Sequence, residues 1–139
     1  MEQRLNLTIV TPKGEFLNKD NIVSIAFSTI EGEVEVFPKH TPVVASVVPS
    51  LLKYREEGKD ISSLVVGKGY VEVTQNRVLL VVEDVTDGTE FDKEKLIDEL
   101  KKVREELEKG KYNVDSITFT NLYYRELWLL SILKLKEES

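Results

Sequence analysis

Cysteine is absent, and histidine, methionine and tryptophan each occur once in 139 residues. Without thiols there can be no disulfide, thiolate metal site or cysteine nucleophile. A lone imidazole, His40, excludes a cluster of histidine ligands and most triad chemistry. Basic charge is in short supply as well. Nineteen lysines and arginines stand against 25 aspartates and glutamates, a net −6 and the wrong sign for a general nucleic-acid binder. No apolar run approaches the ~20 residues of a membrane span, and the opening Met1-Glu2-Gln3-Arg4-Leu5 has no secretory apolar core. These absences lead us to expect a soluble, cytoplasmic, acidic chain that works without redox chemistry. What is present is sufficient for a core: 41% of residues are hydrophobic beside 32% charged, unlike a disordered chain. The length suits one domain, or one domain with a small appendage.

Up to residue 87 the chain alternates apolar and polar residues in short runs. Leu5, Leu7 and Ile9 take every second place, as do Val34 and Val36 within Gly32-Glu33-Val34-Glu35-Val36-Phe37, the pattern of strands with one wet face. Ile22 to Thr29, Val43 to Val48, Leu51 to Arg55, Ser63 to Val66, Tyr70 to Thr74 and Arg77 to Glu83 read as further strands. Pro12-Lys13-Gly14, Glu57-Gly58-Lys59, Gly67-Lys68-Gly69 and Gln75-Asn76 supply turns between them. Roughly nine short strands without an intervening helix predict an antiparallel sandwich or barrel.

After Thr86-Asp87-Gly88 the period changes from two to 3.6. Leu96, Ile97, Leu100, Val103 and Leu107 form an apolar stripe. Glu90 and Asp92 suit the positive end of the helix dipole, and Gly110 is placed as a C′ residue. Lys111 to Val114 forms a short turn into a second helix capped by Asp115 or Ser116. The predicted fold class is thus mixed β then α: an N-terminal β-sandwich (residues 1–87) followed by an antiparallel two-helix hairpin (residues 88–139). On the second helix Phe119, Leu122, Tyr123, Leu127, Leu129, Leu130 and Leu133 fill one face. Tyr124, Trp128, Ile132 and Leu135 form a stripe roughly opposite. Leaving that stripe wet would forgo ~1.5–3 kcal/mol per large side chain, so either the β domain or a partner must cover it.

Catalytic signals are few. There is no G-x-x-x-x-G-K-[ST] and no G-x-S-x-G, and Gly67-Lys68-Gly69 is too short to count as a phosphate loop. The acidic pair Glu31 and Glu33, on alternate strand positions, could in principle act as general acid and base on a polysaccharide or similar substrate. Solvated strand glutamates are the commoner outcome. His40 stands in a proline-flanked loop suited to contact or structure, and the helix charges Lys101, Lys102 and Arg104 read first as a wet face. From composition and pattern alone, the chain is a binding or structural module. A free-standing β-sandwich adaptor is one form of it.

Read together, four segments resemble the ε subunit of F-type ATP synthases. Glu31-Gly32-Glu33-Val34-Glu35-Val36-Phe37-Pro38-Lys39-His40-Thr41-Pro42 is similar to that family's E-G-[ED]-hydrophobic-G-hydrophobic-hydrophobic-P-x-H-x-P signature. Leu7-Thr8-Ile9-Val10-Thr11-Pro12-Lys13-Gly14 resembles its opening strand. Gly67-Lys68-Gly69-Tyr70-Val71-Glu72-Val73, then Asn76-Arg77-Val78, resembles its G-G-F-V-E-V-x-x-N-x-V hairpin. The order of these segments and the switch to two helices agree over the whole chain. Glu35, Lys39 and Ser50 stand where the family usually has glycine, and Lys68 replaces the first of its glycine pair. At such places glycine tolerates φ > 0 more readily than these residues do.

The resemblance implies a ten-stranded sandwich with a helical hairpin, a non-catalytic rotor subunit bound to γ and to the c-ring. Such a subunit is peripheral to the membrane, on the cytoplasmic face of a bacterial plasma membrane. It implies Glu31, Glu33 and His40 as c-ring contacts. It further implies a hairpin that folds onto the sandwich or extends along γ, inhibiting ATP hydrolysis when extended. Lys101, Lys102, Arg104, Arg125, Lys134 and Lys136 would then meet an acidic loop of the β subunit, while Trp128, Ile132 and Leu135 change cover. Relatives that bind ATP carry [IL]-D-x-x-R-A. Here Phe91-Asp92-Lys93-Glu94-Lys95-Leu96 loses the arginine fork, leaving Asp92, Lys95 and Arg125 as the candidates for weak ATP binding. No other cofactor or metal is expected.

Overall fold

The computed structural model describes residues 3–110 and 116–138. The predicted turn at Lys111 to Val114 and the alternative cap Asp115 lie outside them. The described residues form nine strands: β1 (Leu5–Thr11), β2 (Gly14–Thr29), β3 (Gly32–Val36), β4 (Val43–Val47), β5 (Ser50–Glu56), β6 (Ile61–Val66), β7 (Gly69–Val73), β8 (Arg77–Val82) and β9 (Val85–Thr86). They form one continuous sheet in the order β1-β8-β7-β4-β2-β5-β6-β9, with β3 on β2 and a further β1–β2 pairing. The sheet folds over a core of Leu7, Ile9, Ile25, Leu52, Val66 and Leu80 among others, each fully shielded from solvent.

The 16-residue β2 is what makes two layers from one sheet. Its first half pairs with β1 and its second half with β3 and β5. Between the halves Asn21 takes a left-handed φ of 62°, and the β2–β5 register slips between Ile22 and Ser24. Such a bulge bends a strand and sharpens its twist. Divided at that bend, β2 counts as two strands, which gives the ten that the resemblance implies. One pairing departs from the antiparallel expectation: β1 and β8 run parallel, Leu7 opposite Val78 and Ile9 opposite Leu80.

Of the positions where glycine would be usual, only Lys39 has a positive φ, 68°. Phe37 to His40 closes a turn with the His40 amide donating to the Phe37 carbonyl at 3.2 Å. Proline at its second position and φ > 0 at its third are the marks of a type II turn. The left-handed conformation costs a side-chain-bearing residue about 1–2 kcal/mol. Lys39→Gly is therefore expected to raise stability by about 0.5–1 kcal/mol once glycine's greater loss of chain entropy is subtracted. A shift of the urea midpoint upward at constant slope checks it.

Two helices follow, α1 (Lys93–Lys109) and α2 (Ile117–Glu138). The Asp92 carboxylate caps α1 by accepting from the Glu94 amide at 3.1 Å. Ser116 caps α2, its hydroxyl accepting from the Phe119 amide at 3.1 Å. Gly110 is the C-cap of α1 at φ −75° rather than the left-handed C′ residue expected of it. Leu96, Leu100 and Val103 turn inward against α2, but Ile97, 100° round the helix, stands exposed and leaves the predicted stripe.

The second helix lies on β5 and β6. Leu51 and Val65 are register partners across those strands and point away from the sandwich core, into the cluster formed by the helices. Trp128, Leu129, Ile132 and Leu135 are buried there, with Phe91 edge-on to Trp128 at 6.4 Å between ring centres. The chain's own β domain thus covers the stripe in this conformation.

Candidate interaction surfaces

The β2–β3 end of the sandwich presents Glu31 and Glu33. Gly32 makes the turn at φ 122°, and the Thr29 hydroxyl both donates to the Gly32 carbonyl and accepts from the Glu31 amide. Both glutamates are exposed, Glu33 on β3 opposite Ser28. His40 follows the type II turn and is half-buried, with Nδ1 2.7 Å from the Thr41 carbonyl. A carbonyl only accepts, so Nδ1 carries the proton in this geometry.

Beyond Ile30, the neighbour of Glu31, lie exposed apolar side chains that alternation in the sequence had not marked. The Ile30 amide donates to the Ser46 carbonyl, Ser46 is paired with Tyr70, and Val44 is two residues along the same face with Glu72 opposite it. Ile30, Val44 and Tyr70 are 64%, 71% and 50% exposed. Phe37 and Val43 extend the apolar surface at the ends of β3 and β4, and a cleft of about 210 Å³ opens between the layers, lined by Phe27, Val34, Val43 and Val73. The signal was the pair Val43-Val44: two adjacent valines cannot both face the core of a strand.

The predicted hairpin cations divide into two groups. Arg104 Nε lies 3.1 Å from the Glu126 carboxylate, and Arg125 is ion-paired with Glu99, so both are engaged between the two helices. Lys101, Lys102 and Lys134 are exposed, and Lys134 lines a groove of about 430 Å³ with Glu33, Glu35 and Lys53. Lys136 Nζ donates to the Gly88 carbonyl at 3.0 Å. In the linker below, the Thr89 hydroxyl and amide hold the Asp87 carboxyl below its ordinary range.

The nucleotide candidates lie on the two facing helices. Asp92 is occupied as the cap of α1, Lys95 is exposed, and Arg125 is paired with Glu99, one turn beyond Lys95. Arg125 also lines a cleft of about 420 Å³ with Lys68, Glu83, Asp84, Tyr124 and Trp128. Lys68 sits over the Tyr124 ring at 6.0 Å, a contact the sequence offered no means of finding. Among the described residues no group of acidic or histidine side chains could hold a metal ion, and no helix is long and apolar enough to cross a membrane.

Residues 4–88, the whole sandwich, match the family described as ATP synthase, Delta/Epsilon chain, beta-sandwich domain. The chain belongs to that family. ATP synthase epsilon chains of Staphylococcus aureus strains JH9 and Newman are each 34% identical over 92 residues, 66% of this chain and 67% of theirs. In fold, the chain is similar to one in the Euglena gracilis mitochondrial ATP synthase OSCP/F1/c-ring assembly. The TM-score is 0.76 at 21% identity, covering 99% of this chain and 82% of the other. A chain of the Tetrahymena thermophila mitochondrial ATP synthase central stalk and c-ring matches with a TM-score of 0.59 at 20% identity, covering 96% of each. An ε chain is a non-catalytic subunit of its complex.

Proposed function

We propose that this chain couples rotation of an ion-driven c-ring through the central stalk to ATP synthesis, and that its hairpin restrains ATP hydrolysis. The observation that carries the reading is the set of exposed apolar side chains Ile30, Val44 and Tyr70, with Glu31 next to Ile30 at the β2–β3 turn. Apolar surface edged by charge suits a permanent partner rather than water. A carboxylate–arginine pair at such an edge adds about 1 kcal/mol or less and fixes orientation. Burial of these apolar side chains against γ and the c-ring must carry the torque. The chain is then held peripherally, on the cytoplasmic face of a bacterial plasma membrane.

In the regulatory half of this reading the hairpin seen on β5 and β6 is the permissive position. Extension along γ would bring Lys101, Lys102 and Lys134 to an acidic loop of the β subunit at once, whereas Arg104 and Arg125 must first leave Glu126 and Glu99. Nucleotide is not needed for it. Arg125 is already paired, and in the adjoining cleft a polyphosphate would meet the carboxylates of Glu83 and Asp84.

The test is co-purification from membranes of the tagged full chain, beside Val44→Glu. The wild type should bring γ and c subunits with it. The variant, with its change on an exposed position far from any core contact, should fold normally and recover at least about tenfold less of both, since a buried unpaired carboxylate costs more than 1.4 kcal/mol. Equal recovery by the two would contradict the placing of the interface. Unrelated partners in place of γ and c would favour the adaptor.

A further inference from the structure

Two polar contacts meet at the last turn of α2. Lys136 Nζ donates to the carbonyl of Gly88, 48 positions back, at 3.0 Å. The Glu138 carboxylate lies 3.1 Å from Lys53 Nζ on β5. Between them Leu135 is buried against Gly88, so closely that a Cβ on that residue would stand 3.0 Å from Leu135 Cδ2. Gly88, at φ 85°, opens the linker from β9 to α1 and donates its amide to the Thr86 hydroxyl at 2.9 Å. The end of the hairpin is thus fastened both to the point where the hairpin begins and to the sandwich.

The other contacts differ in kind. Trp128 and Ile132 meet Leu51 and Val65 through apolar surface. The ion pairs Arg104–Glu126 and Arg125–Glu99 hold α1 to α2, and so would travel with the hairpin if it lifted. Salt screens an exposed ion pair and leaves apolar burial in place. Sensitivity to ionic strength therefore lies in the Lys53–Glu138 pair at the tip and in the contact of Lys68 with the Tyr124 ring.

We infer that Lys136 and Glu138 form a polar clasp that sets the fraction of time the hairpin lies on the sandwich. The contacts of the clasp belong to the chain alone; the lifted state they oppose and its consequence for hydrolysis rest on the reading given above.

The test uses the full chain with Val65→Cys, a near-isosteric change in a protein with no other thiol. Val65 is fully shielded beneath α2. When redocking is fast, the rate of its labelling by a thiol reagent is proportional to the lifted fraction. Lys136→Met should speed labelling about tenfold, as expected for loss of a hydrogen bond from a charged donor. Glu138→Lys should speed it about twofold to fivefold at low salt, and adding Lys53→Glu should restore the original rate. Labelling of Lys136→Met at the parent rate, or failure of the charge swap to restore it, would overturn the clasp. If Val65→Cys does not fold, acrylamide quenching of the single tryptophan, Trp128, reads the same lifting with the same expected order of variants. In the assembled complex, faster labelling without slower hydrolysis would leave the clasp standing and contradict the inhibitory role.

Discussion

Gly69→Ala should be the most damaging single methyl group that can be added to this protein. A Cβ on Gly69 would stand 2.0 Å from the Val81 carbonyl oxygen and 2.7 Å from the Val82 Cα. Both are backbone atoms of β8, which pairs with β7 from Gly69 opposite Val82 to Val73 opposite Val78. No rotamer change relieves such a contact, so β7 must move away from β8, and β8 also carries the parallel pairing to β1. We expect a loss of about 4 kcal/mol or more, a large part of the roughly 5–15 kcal/mol by which a domain is stable. The variant should appear as aggregated protein or with a much lowered denaturation midpoint. Gly67→Ala is the control. Its nearest atom is the Glu83 Cγ at 2.9 Å, part of a flexible side chain at the surface, and its cost should stay below about 1 kcal/mol. Equal effects of the two would show that backbone approach is not what requires glycine at position 69.

That contrast explains a departure visible in the sequence. Of the family's glycine pair this chain keeps Gly69 and replaces the other with Lys68, which has no positive φ. The retained glycine is the one against a neighbouring backbone. Alternation located nearly every strand, because one face of each is buried in the sandwich. It failed for the first half of β2, Gly14 to Asp20, where exposed residues alternate with half-buried ones at a sheet margin and leave little contrast. The parallel β1–β8 pairing was invisible because alternation reports a face, never a neighbour.

The candidate site was legible only as chemistry of single residues. Glu31, Glu33 and His40 were found by motif, the glutamates at the Gly32 end of β3 and His40 beyond its Val36 end. The exposed apolar side chains come from the β2–β3 turn, β4 and β7, residues separated by up to 40 positions. The seat of the hairpin left a fainter trace. Leu64-Val65-Val66 is an unbroken apolar run, the signature of a strand covered on both faces, and α2 supplies the second cover. Which of two surfaces an apolar helix face chooses is a free-energy difference between docked states, and its sequence pattern is the same in both.

The division into two cores makes the largest functional prediction. The sandwich encloses its own cluster of buried residues from Leu5 to Val85, to which neither helix contributes. The hairpin's cluster borrows only Val65 and Leu51 from the strands. A chain ending after Asp87 therefore keeps every contact of the sandwich core and exposes one small apolar pair on β5 and β6. It should fold and retain Ile30, Val44 and Tyr70, through which we place the stalk contacts. It loses Lys101, Lys102 and Lys134 together with the whole of α2.

The steady-state rate of ATP hydrolysis by complexes assembled with this truncated chain, beside complexes carrying the full chain, is accordingly the most direct test of a rotor subunit whose hairpin restrains the reverse reaction. We predict normal assembly with a several-fold higher rate. Normal assembly with an unchanged rate would contradict the regulatory role, and failure of a folded truncated sandwich to assemble would contradict the division of labour itself.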